Sequence, residues 1–447
     1  MKKLFLILIP VLLLVIPNKC EAKYILEKTT KVSVNIQTPV SLTITDINNS
    51  IINNNEIAVE FAQVSFNSSG GATYKYNDAD YDFDNSTEIK LDNNQQICEE
   101  GFYQIILNNS KYYNFQIKKA VCKNSDNHHY LTLQEAVNIP NNKIELLNNV
   151  SENTITVNEN VSLDLKFYTV STSFIIPSNV VFDITNGVVR GLENIPTFKV
   201  FGTLNTIIGF YYQTGTAPII ECNGGEVNTK DGSFEGTTNA CINSISSNIN
   251  ILGGTFRSSC ESPVLKANSS IINIENAIIK HLLQGYYKAI DITSSKLKID
   301  KNTKITSKNL SIIAASSDIL IISANIRGGI TSLGGNSILE VRKNVQIQSS
   351  SAVATITSYN HLIVDGAKII NNKDERAIHI AGGRADITNA NLTSNWLYTV
   401  YAVYENTTVN ISNSTIINTA NNYAIFAREG GATIDENTVI TGNVNTK

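Results

Sequence analysis

The sequence predicts an all-β chain in which a right-handed parallel β-helix solenoid follows a small β-sandwich. Three observations predict the solenoid. An apolar anchor residue recurs about every 22 residues, and a fixed period of this size indicates a repeat architecture. Each repeat holds two or three short runs rich in Ile, Val and Thr, which favour strands over helices. Asn or Gly stands two residues after many anchors, where a sharp bend between strands is expected.

The anchors are expected to form one interior column, because side chains alternate between the two sides of a strand and successive coils stack. About thirteen coils are predicted from Leu165 onward, which at about 4.8 Å per coil gives a length of roughly 60 Å. The anchors are Leu165, Ile184, Leu204, Val227, Ile251, Ile274, Ile299, Ile321, Val341, Val364, Ile387, Ile411 and Ile434.

The bends that follow the anchors require left-handed backbone, which Gly adopts freely and Asn adopts at low cost. Stacked Asn side chains at these bends are expected to hydrogen-bond from coil to coil. The bend positions are Asn186, Gly253, Asn276, Gly366, Asn389 and Asn413.

Residues 1–22 have the features of a secretory signal peptide. Lys2 and Lys3 precede an apolar run, and small residues surround a cleavage position after Ala22. No later apolar run reaches the roughly 18 residues that a membrane helix needs. The protein is therefore predicted to be secreted or extracellular, with attachment to the cell surface left open and without a membrane span.

The remaining chain divides into three predicted segments. Residues 23–122 lack the repeat and alternate short strand-like runs with Asn, Asp, Ser and Gly clusters, a pattern typical of a β-sandwich. Residues 123–130 are polar and are predicted to form a hinge. Residues 131–447 are predicted to form the β-helix.

Charge and cysteine content limit the partners and the cross-links. The formal net charge of -4 and the pI near 5.8 argue against nucleic acid as a partner. An exported protein can form disulfides, and five cysteines follow the predicted cleavage position, so at least one is left unpaired. Cys98 with Cys122 is the preferred pair because these residues bracket one predicted hairpin. Cys241 and Cys260 lie nearly one repeat apart and form an alternative pair.

Two stretches resemble known families. Gly101-Phe102-Tyr103 together with the run Tyr112 to Ile117 resembles the last two strands of bacterial Ig-like domains. The amphipathic stretch Leu131 to Val137, followed by Leu163-Asp164-Leu165, is similar to the entry of the pectate-lyase-like right-handed β-helix superfamily. The second resemblance implies a capped β-helix over residues 130–447, and it implies no particular activity.

No catalytic residue, metal site or cofactor site is predicted. The sequence motifs of polygalacturonase-like and pectin methylesterase-like members of the superfamily are absent. Glu275 and Asp300 are expected to stack on adjacent coils, with Arg342 two coils further along. A calcium site would need a third carboxylate, and Ile322 occupies that position.

The strongest candidate binding surface lies near the end of the chain. Alternation predicts that an outward strip there carries aromatic and basic side chains, at the strand spacing from coil to coil. Such a strip can stack on sugar rings, or its rings can merely support one another between coils. The matching outward positions on earlier coils are expected to be Asn243, Asp291 and Ala354. The candidate residues are Arg376, His379, Trp396, Tyr401, Tyr404, Tyr423 and Phe426.

Two classes of function follow from these patterns. The preferred interpretation is an exported, non-catalytic, adhesin-like surface protein, whose coil presents a binding face to a glycan or a cell-surface partner. The alternative is a polysaccharide lyase or glycoside hydrolase with an atypical site on the β-helix. A cluster of three carboxylates with a base on neighbouring coils would favour the enzyme, and the sequence provides none.

Overall fold

The computed structural model describes residues 30–34, 41–46, 56–59, 62–67, 72–80, 82–90, 95–97, 101–107, 111–117, 120–350, 354–373, 375–402, 404–429 and 431–446. The chain forms two compact units, Met1–Lys119 and Ala120–Lys447. The predicted signal peptide and Cys98 lie outside the described residues, so the signal peptide and the Cys98–Cys122 pair stay predictions. Within the described residues, no helix is long and apolar enough to cross a membrane.

The described residues of the first unit form nine strands in two sheets. Their order is β1-β2-β4-β7 in one sheet and β3-β9-β8-β5-β6 in the other. The strands β8 and β9 pair antiparallel with Tyr103 opposite Phe115, as predicted for this hairpin, while the Ig-like assignment stays a prediction. The strands are β1 (Thr30–Val34), β2 (Ser41–Asp46), β3 (Glu56–Val59), β4 (Ala62–Asn67), β5 (Ala72–Asn77), β6 (Ile89–Lys90), β7 (Gln95–Ile97), β8 (Gly101–Leu107) and β9 (Lys111–Ile117).

The segment predicted as a hinge is part of the second unit. The strands β10 (Cys122–Asn124) and β11 (His129–Tyr130) form an antiparallel hairpin, and β10 also pairs with β12 (Lys143–Leu146). The polar residues 125–128 form the tip of this hairpin, and a hinge at residues 123–130 stays a prediction. The helix α1 (Leu133–Ala136) follows, and its buried Leu133 and Ala136 pack on the first coil. Glu152 accepts hydrogen bonds from the backbone N–H groups of Leu133 and Gln134 and so caps the helix.

The second unit is a parallel β-solenoid, as predicted, with three strands per coil. The first face begins at β12 and holds fourteen parallel strands in succession, thirteen of them from the coil at Leu165 onward. Its further strands are β15 (Val161–Asp164), β18 (Val181–Thr185), β21 (Thr203–Thr206), β24 (Glu226–Thr229), β27 (Asn248–Ile251), β30 (Ile271–Glu275), β33 (Lys296–Asp300), β35 (Asp318–Ile321), β37 (Ile338–Val341), β40 (His361–Asp365), β43 (Arg384–Thr388), β46 (Thr408–Ser412) and β49 (Ala432–Ile434).

The second and third faces belong to one sheet, since β34 (Thr303–Ala315) and β36 (Ala324–Leu333) each run through both. The second face also contains β13 (Val150–Ser151), β16 (Thr169–Ser171), β19 (Gly187–Arg190), β22 (Gly209–Gln213), β25 (Ser233–Gly236), β28 (Thr255–Ser258), β31 (Ile278–His281), β38 (Gln346–Ser349), β41 (Lys368–Asn371), β44 (Asn391–Ser394), β47 (Thr415–Asn418) and β50 (Val439–Thr441). The third face also contains β14 (Ile155–Thr156), β17 (Phe174–Ile176), β20 (Phe198–Val200), β23 (Ile220–Asn223), β26 (Ile242–Ile245), β29 (Leu265–Asn268), β32 (Lys288–Thr293), β39 (Ile356–Ser358), β42 (Ile378–Ile380), β45 (Tyr398–Ala402), β48 (Tyr423–Ala427) and β51 (Asn443–Asn445).

The predicted interior column exists on the first face from Ile251 to Ile434, each anchor lying beside the next in register. Three earlier anchors were assigned wrongly. The column continues upstream through Thr229, Thr206, Ile184 and Leu163, so Val227, Leu204 and Leu165 each lie two residues away from it. Thr206 and Thr229 stand in this column where later coils have Ile or Val, and both β-branched side chains are fully buried.

The bends after the first face use left-handed backbone at most of the predicted positions. Asn186, Asn276, Asn389, Asn413 and Gly366 have φ angles of 59°, 50°, 53°, 44° and 73°. Gly253 was assigned wrongly, because the left-handed residue of that bend is the next one, Gly254, with φ 94°.

Polar side chains form ladders between coils. At the bends, Asn413 donates to Asn389 at 2.6 Å, as expected for stacked Asn residues. A longer ladder, which the sequence analysis missed, follows the outer side of the first face: Asn273 donates to Asn250, Asn250 to Asn228, Asn228 to Asn205, and Asn205 to Asp183. Each amide donates to the coil before it, so the ladder links five successive coils.

The interior also contains a stack of aromatic rings. Ring centroids lie 4.4 to 5.7 Å apart along Phe174, Phe198, Tyr211, Phe234 and Phe256. Offset and tilted contacts of this kind stabilise a core beyond the burial of their area.

The alternative disulfide is absent. Cys241 is buried and Cys260 is partly buried, and both are free. The Cys241 thiol donates to the carbonyl oxygen of Arg257 at 3.0 Å. Its burial raises the pKa of Cys241 to about 12, so this cysteine is an inert part of the core.

Candidate functional site

The third face ends in a group of aromatic and basic side chains, here called the terminal cluster. The strands β42, β45 and β48 lie side by side, with Ile378, Val400 and Ile425 in register inside the coil. Strand alternation then turns the intervening residues outward. The terminal cluster consists of Arg376, His379, Trp396, Tyr398, Tyr401, Tyr423 and Phe426.

Two columns of rings form the centre of the terminal cluster. His379, Tyr401 and Phe426 are in register on three successive strands, with centroid separations of 5.3 and 5.9 Å. Tyr398 lies beside Tyr423 at 5.9 Å, and it also contacts Tyr401 at 4.6 Å. The rings are therefore fixed by the spacing of the strands, which lowers the entropic cost of presenting them to a ligand.

Arg376 lies over these rings. Its guanidinium carbon is 4.4 Å from the centroid of Tyr401 and 5.1 Å from that of Trp396, both within cation–π range. Its Nη1 atom donates to Glu375 at 3.0 Å. Its Nε atom is buried and has no hydrogen-bond partner. The guanidinium is thus held in place with part of its donor capacity unused.

His379 lies against the ring of Tyr401, with the ring centroids 5.3 Å apart. Burial, with the nearby charge of Arg376 as the second cause, lowers the pKa of His379 to about 4. The imidazole is therefore neutral at neutral pH. Its Nε2 atom is buried without a hydrogen-bond partner.

A buried amide fixes the turn that carries Trp396. Asn418 has no exposed surface, and its Nδ2 atom donates to the carbonyl oxygens of Trp396 at 2.8 Å and Tyr423 at 3.1 Å. Its Oδ1 atom accepts from the backbone N–H groups of Ala420 and Asn422. The full hydrogen-bonding capacity of this side chain is used, so it positions both aromatic segments.

Two details of the predicted strip differ from the structure. Tyr404 is an exposed turn residue after β45 and makes no ring contact with the terminal cluster among the described residues. Tyr398 replaces it, because β45 begins at Tyr398. On earlier coils the outward column does contain Asn243 and Asp291, but Thr357 takes the position expected for Ala354, which is buried.

The carboxylate pair on the first face is present but neutralised. Glu275 and Asp300 are in register on adjacent strands. Lys301 is 2.6 Å from Glu275, and Lys298 is 3.6 Å from Asp300. In the part of the chain that the structure describes, no group of three His, Cys, Asp or Glu side chains is arranged to hold a metal ion. Arg342 pairs with Glu340 at 2.6 Å and does not complete a site here.

A second polar group lies further along the first face, and the sequence analysis missed it. Asp386 accepts from Arg384 at 2.8 Å, from Asn410 at 2.8 Å and from His361 Nε2 at 2.9 Å. Partial burial opposes ionisation, but these hydrogen bonds outweigh it and lower the pKa of Asp386. The carboxylate already uses its acceptors, so this group links coils of the solenoid.

No family model and no curated protein matches the chain. Two solved structures are similar to it. One is the A-module of mannuronan C-5 epimerase AlgE6 from Azotobacter vinelandii, with 12% identity and a TM-score of 0.34 over 64% of this chain and 91% of that chain. The other is the catalytic domain of Agl-KA, with 10% identity and a TM-score of 0.26 over 84% of each chain.

The preferred interpretation of the function is corrected by these matches. One neighbour is named as an epimerase and the other as a catalytic domain, whereas the sequence analysis favoured a non-catalytic, adhesin-like surface protein. The alternative, an enzyme that acts on a polysaccharide, is consistent with the printed name of the first structure and stays a proposal. No residue role and no substrate is transferred from these proteins to this chain.

Proposed function

We propose that the protein is an enzyme of the lyase type that acts on an acidic polysaccharide at the terminal cluster. The observation that carries the proposal is the contact between a fixed guanidinium, a neutral imidazole and a phenol. Arg376 lies 4.4 Å above the ring of Tyr401, and His379 lies 5.3 Å from the same ring. These three groups supply a cation, a base and a proton donor.

The chemistry of β-elimination matches these groups. The hydrogen on the carbon next to a uronate carboxylate leaves as a proton, and the anion that forms spreads onto the carboxylate. A cation held against that carboxylate stabilises the charge. Arg376 fits this role because the rings of Tyr401 and Trp396 and the ion pair with Glu375 fix its position.

His379 is assigned as the base. Its Nε2 atom is enclosed by the terminal cluster, so Nδ1 is the ring nitrogen available to a ligand. A pKa near 4 makes the free imidazole a weak base. A substrate carboxylate paired with Arg376 would offset the positive charge that is the second cause of this lowering. It would therefore raise the pKa of His379, while the first cause, burial, remains.

Tyr401 is assigned as the proton donor. The bond from the neighbouring carbon to the glycosidic oxygen breaks as the electron pair forms a carbon–carbon double bond, and the departing oxygen takes the phenol proton. His379 returns its proton to Tyr401 or to solvent. The rings of Tyr398 and Tyr423 extend the surface on which the adjoining sugars stack.

Hydrolysis has less support at this site. Glycoside hydrolases use two carboxyl groups, about 5 to 9.5 Å apart depending on the stereochemical outcome. Within the described residues, Glu375 is the one carboxylate in contact with the terminal cluster, and it is paired with Arg376.

The proposal is tested by incubating the purified protein with several polyuronates and, as a control, a neutral glucan. The ultraviolet absorbance of the unsaturated uronate reports elimination. Arg376→Gln should lower the rate about a hundredfold or more, the effect of losing one preorganised charge-stabilising group. Arg342→Gln, which changes an arginine on the first face, should leave the rate unchanged. Absence of unsaturated product with every polyuronate, or equal rates for native protein and Arg376→Gln, would refute the proposal.

A further inference from the structure

The outer side of the second face carries a row of basic side chains, here called the basic strip. Arg257, Lys280 and Arg327 stand in one outward column, with Thr306 between the last two. Lys304 lies in the neighbouring outward column on the coil of Thr306. The four cations occupy four successive strands, β28, β31, β34 and β36, and all four are exposed.

Few acidic groups oppose the basic strip. From Arg257 to Ile417, none of the outward positions on the second face is Asp or Glu. Arg257 is 3.4 Å from Glu235 on the preceding coil, and no ion pair of Lys280, Lys304 or Arg327 is present among the described residues. The carboxylates of the same coils lie elsewhere, such as Glu275 and Asp300 on the first face. A local positive potential therefore exists on a chain whose net charge is -4.

The spacing of the charges fits an extended polyanion. Neighbouring coils are about 4.8 Å apart, so the basic strip presents one cation per coil along the solenoid axis. A linear acidic polysaccharide places one carboxylate on each sugar at a similar rise per residue. Outward Lys, Arg, Asn, Gln and Thr side chains also supply the hydrogen-bond donors that sugar hydroxyls and carboxylates accept.

The basic strip leads toward the terminal cluster. Gln346 and Gln348 continue the second face, and Lys368 follows on β41. The chain passes from β41 to Arg376 and then to His379 on β42, so one coil carries both Lys368 and the polar half of the terminal cluster. A polysaccharide bound along the second face would reach the terminal cluster at the segment that connects β41 to β42.

We infer that the second face is a binding site for a linear polyanionic polysaccharide, separate from the terminal cluster. The choice of a uronate polymer as the ligand rests on the proposed function. The pattern of charges on the second face does not depend on that function. The site retains the polymer between reaction events, and it adds affinity for long chains over short ones.

The test is a binding measurement by calorimetry with long and short polyuronate oligomers at low and high salt. The strip variant is Lys280→Gln, Lys304→Gln and Arg327→Gln together. The matched control is Lys199→Gln, Lys266→Gln and Lys296→Gln, which removes the same three charges from the first and third faces. The strip variant should bind long oligomers about tenfold or more weakly, with a smaller salt dependence, and the control should bind like the native protein.

Two outcomes would overturn the inference. Equal losses in both variants would mean that net charge alone governs binding. Binding of a single-stranded DNA of matched charge as tight as that of the polyuronate would assign the face to polyanions in general. Native protein that binds the polyuronate without forming unsaturated product would refute the lyase proposal alone. Failure of the lyase proposal would therefore leave polymer binding intact, and failure of the strip would leave the reaction on short oligomers intact.

Discussion

At the scale of single residues, His379 dominates the electrostatics of the terminal cluster. Its imidazole is half-buried against the ring of Tyr401, and both burial and the charge of Arg376 disfavour its protonated form. The pKa of His379 depends on the bound ligand, because an anion bound at Arg376 would offset the positive charge that is one of the two causes of the lowered pKa. The same residue therefore links pH, binding and stability.

The pH dependence of stability tests the environment of His379. Between pH 6.5 and about 4, the unfolded chain gains a proton on this histidine that the folded chain does not accept. The free energy of unfolding should therefore fall as the pH falls through that window. His379→Gln should show a smaller fall, since the variant cannot take up this proton. Urea unfolding at several pH values measures the difference, and identical curves for the two proteins would contradict the assignment.

Left-handed backbone at a bend gives a second test at this scale. Asn276 has φ 50°, where a β-branched side chain clashes with its own backbone. Asn276→Val should lower the free energy of unfolding by about 1 to 2 kcal/mol, whereas Asn276→Gly should be tolerated. Thermal unfolding compares the variants, and equal effects of Val and Gly would mean that the bend carries no strain.

At the scale of the elements, the strands of the first face could be predicted in those coils where the interior position holds an apolar residue. The column from Ile251 to Ile434 follows from period and alternation alone. Thr206 and Thr229 were missed because Thr counts as polar in the sequence, although a buried β-branched Thr fills the space of Val. The interior stack of Phe and Tyr rings was also missed, since it passes from the third face at Phe198 to the second face at Tyr211, a step much shorter than one repeat.

The terminal cluster was predicted in part for the same reason. Alternation predicted that His379, Tyr401 and Phe426 point outward, and the structure has these three residues in register on successive strands. The start of β45 at Tyr398 was not predicted, because the strand pattern does not specify the length of the preceding turn, and that length decides where the strand begins. The burial of His379 and its contact with Arg376 depend on rotamers and packing, and no sequence pattern reports these.

The two sides of one strand provide an element-scale prediction. Ile274 on β30 is fully buried in the interior column, whereas Ile271 on the same strand is 49% exposed. Ile274→Ala should lower the free energy of unfolding by about 2 to 5 kcal/mol, because it removes buried methyl groups and leaves a cavity. Ile271→Ala should cost less than about 1 kcal/mol. Chemical denaturation measures both, and similar costs would contradict the orientation of this strand.

At the scale of the whole molecule, the solenoid distributes its charged residues unevenly over its faces, and the net charge alone does not show this. The net charge of -4 suggests an even, mildly acidic surface, yet the strand order puts basic residues on the second face and pairs acidic residues with lysines on the first. Aromatic residues collect on the last coils of the third face. The three faces of the second unit thus differ in their outward side chains. In the proposed functions, the first face is a scaffold, the second face binds the polymer and the third face carries the reaction site.

The central claim is that the terminal cluster removes the hydrogen beside a uronate carboxylate. Proton NMR of a polyuronate in deuterated water follows that hydrogen directly, because elimination removes it from the sugar. We predict that its signal declines with the native protein and stays constant with Arg376→Gln. A constant signal with the native protein would contradict the claim, as would new reducing ends that appear while the signal is unchanged.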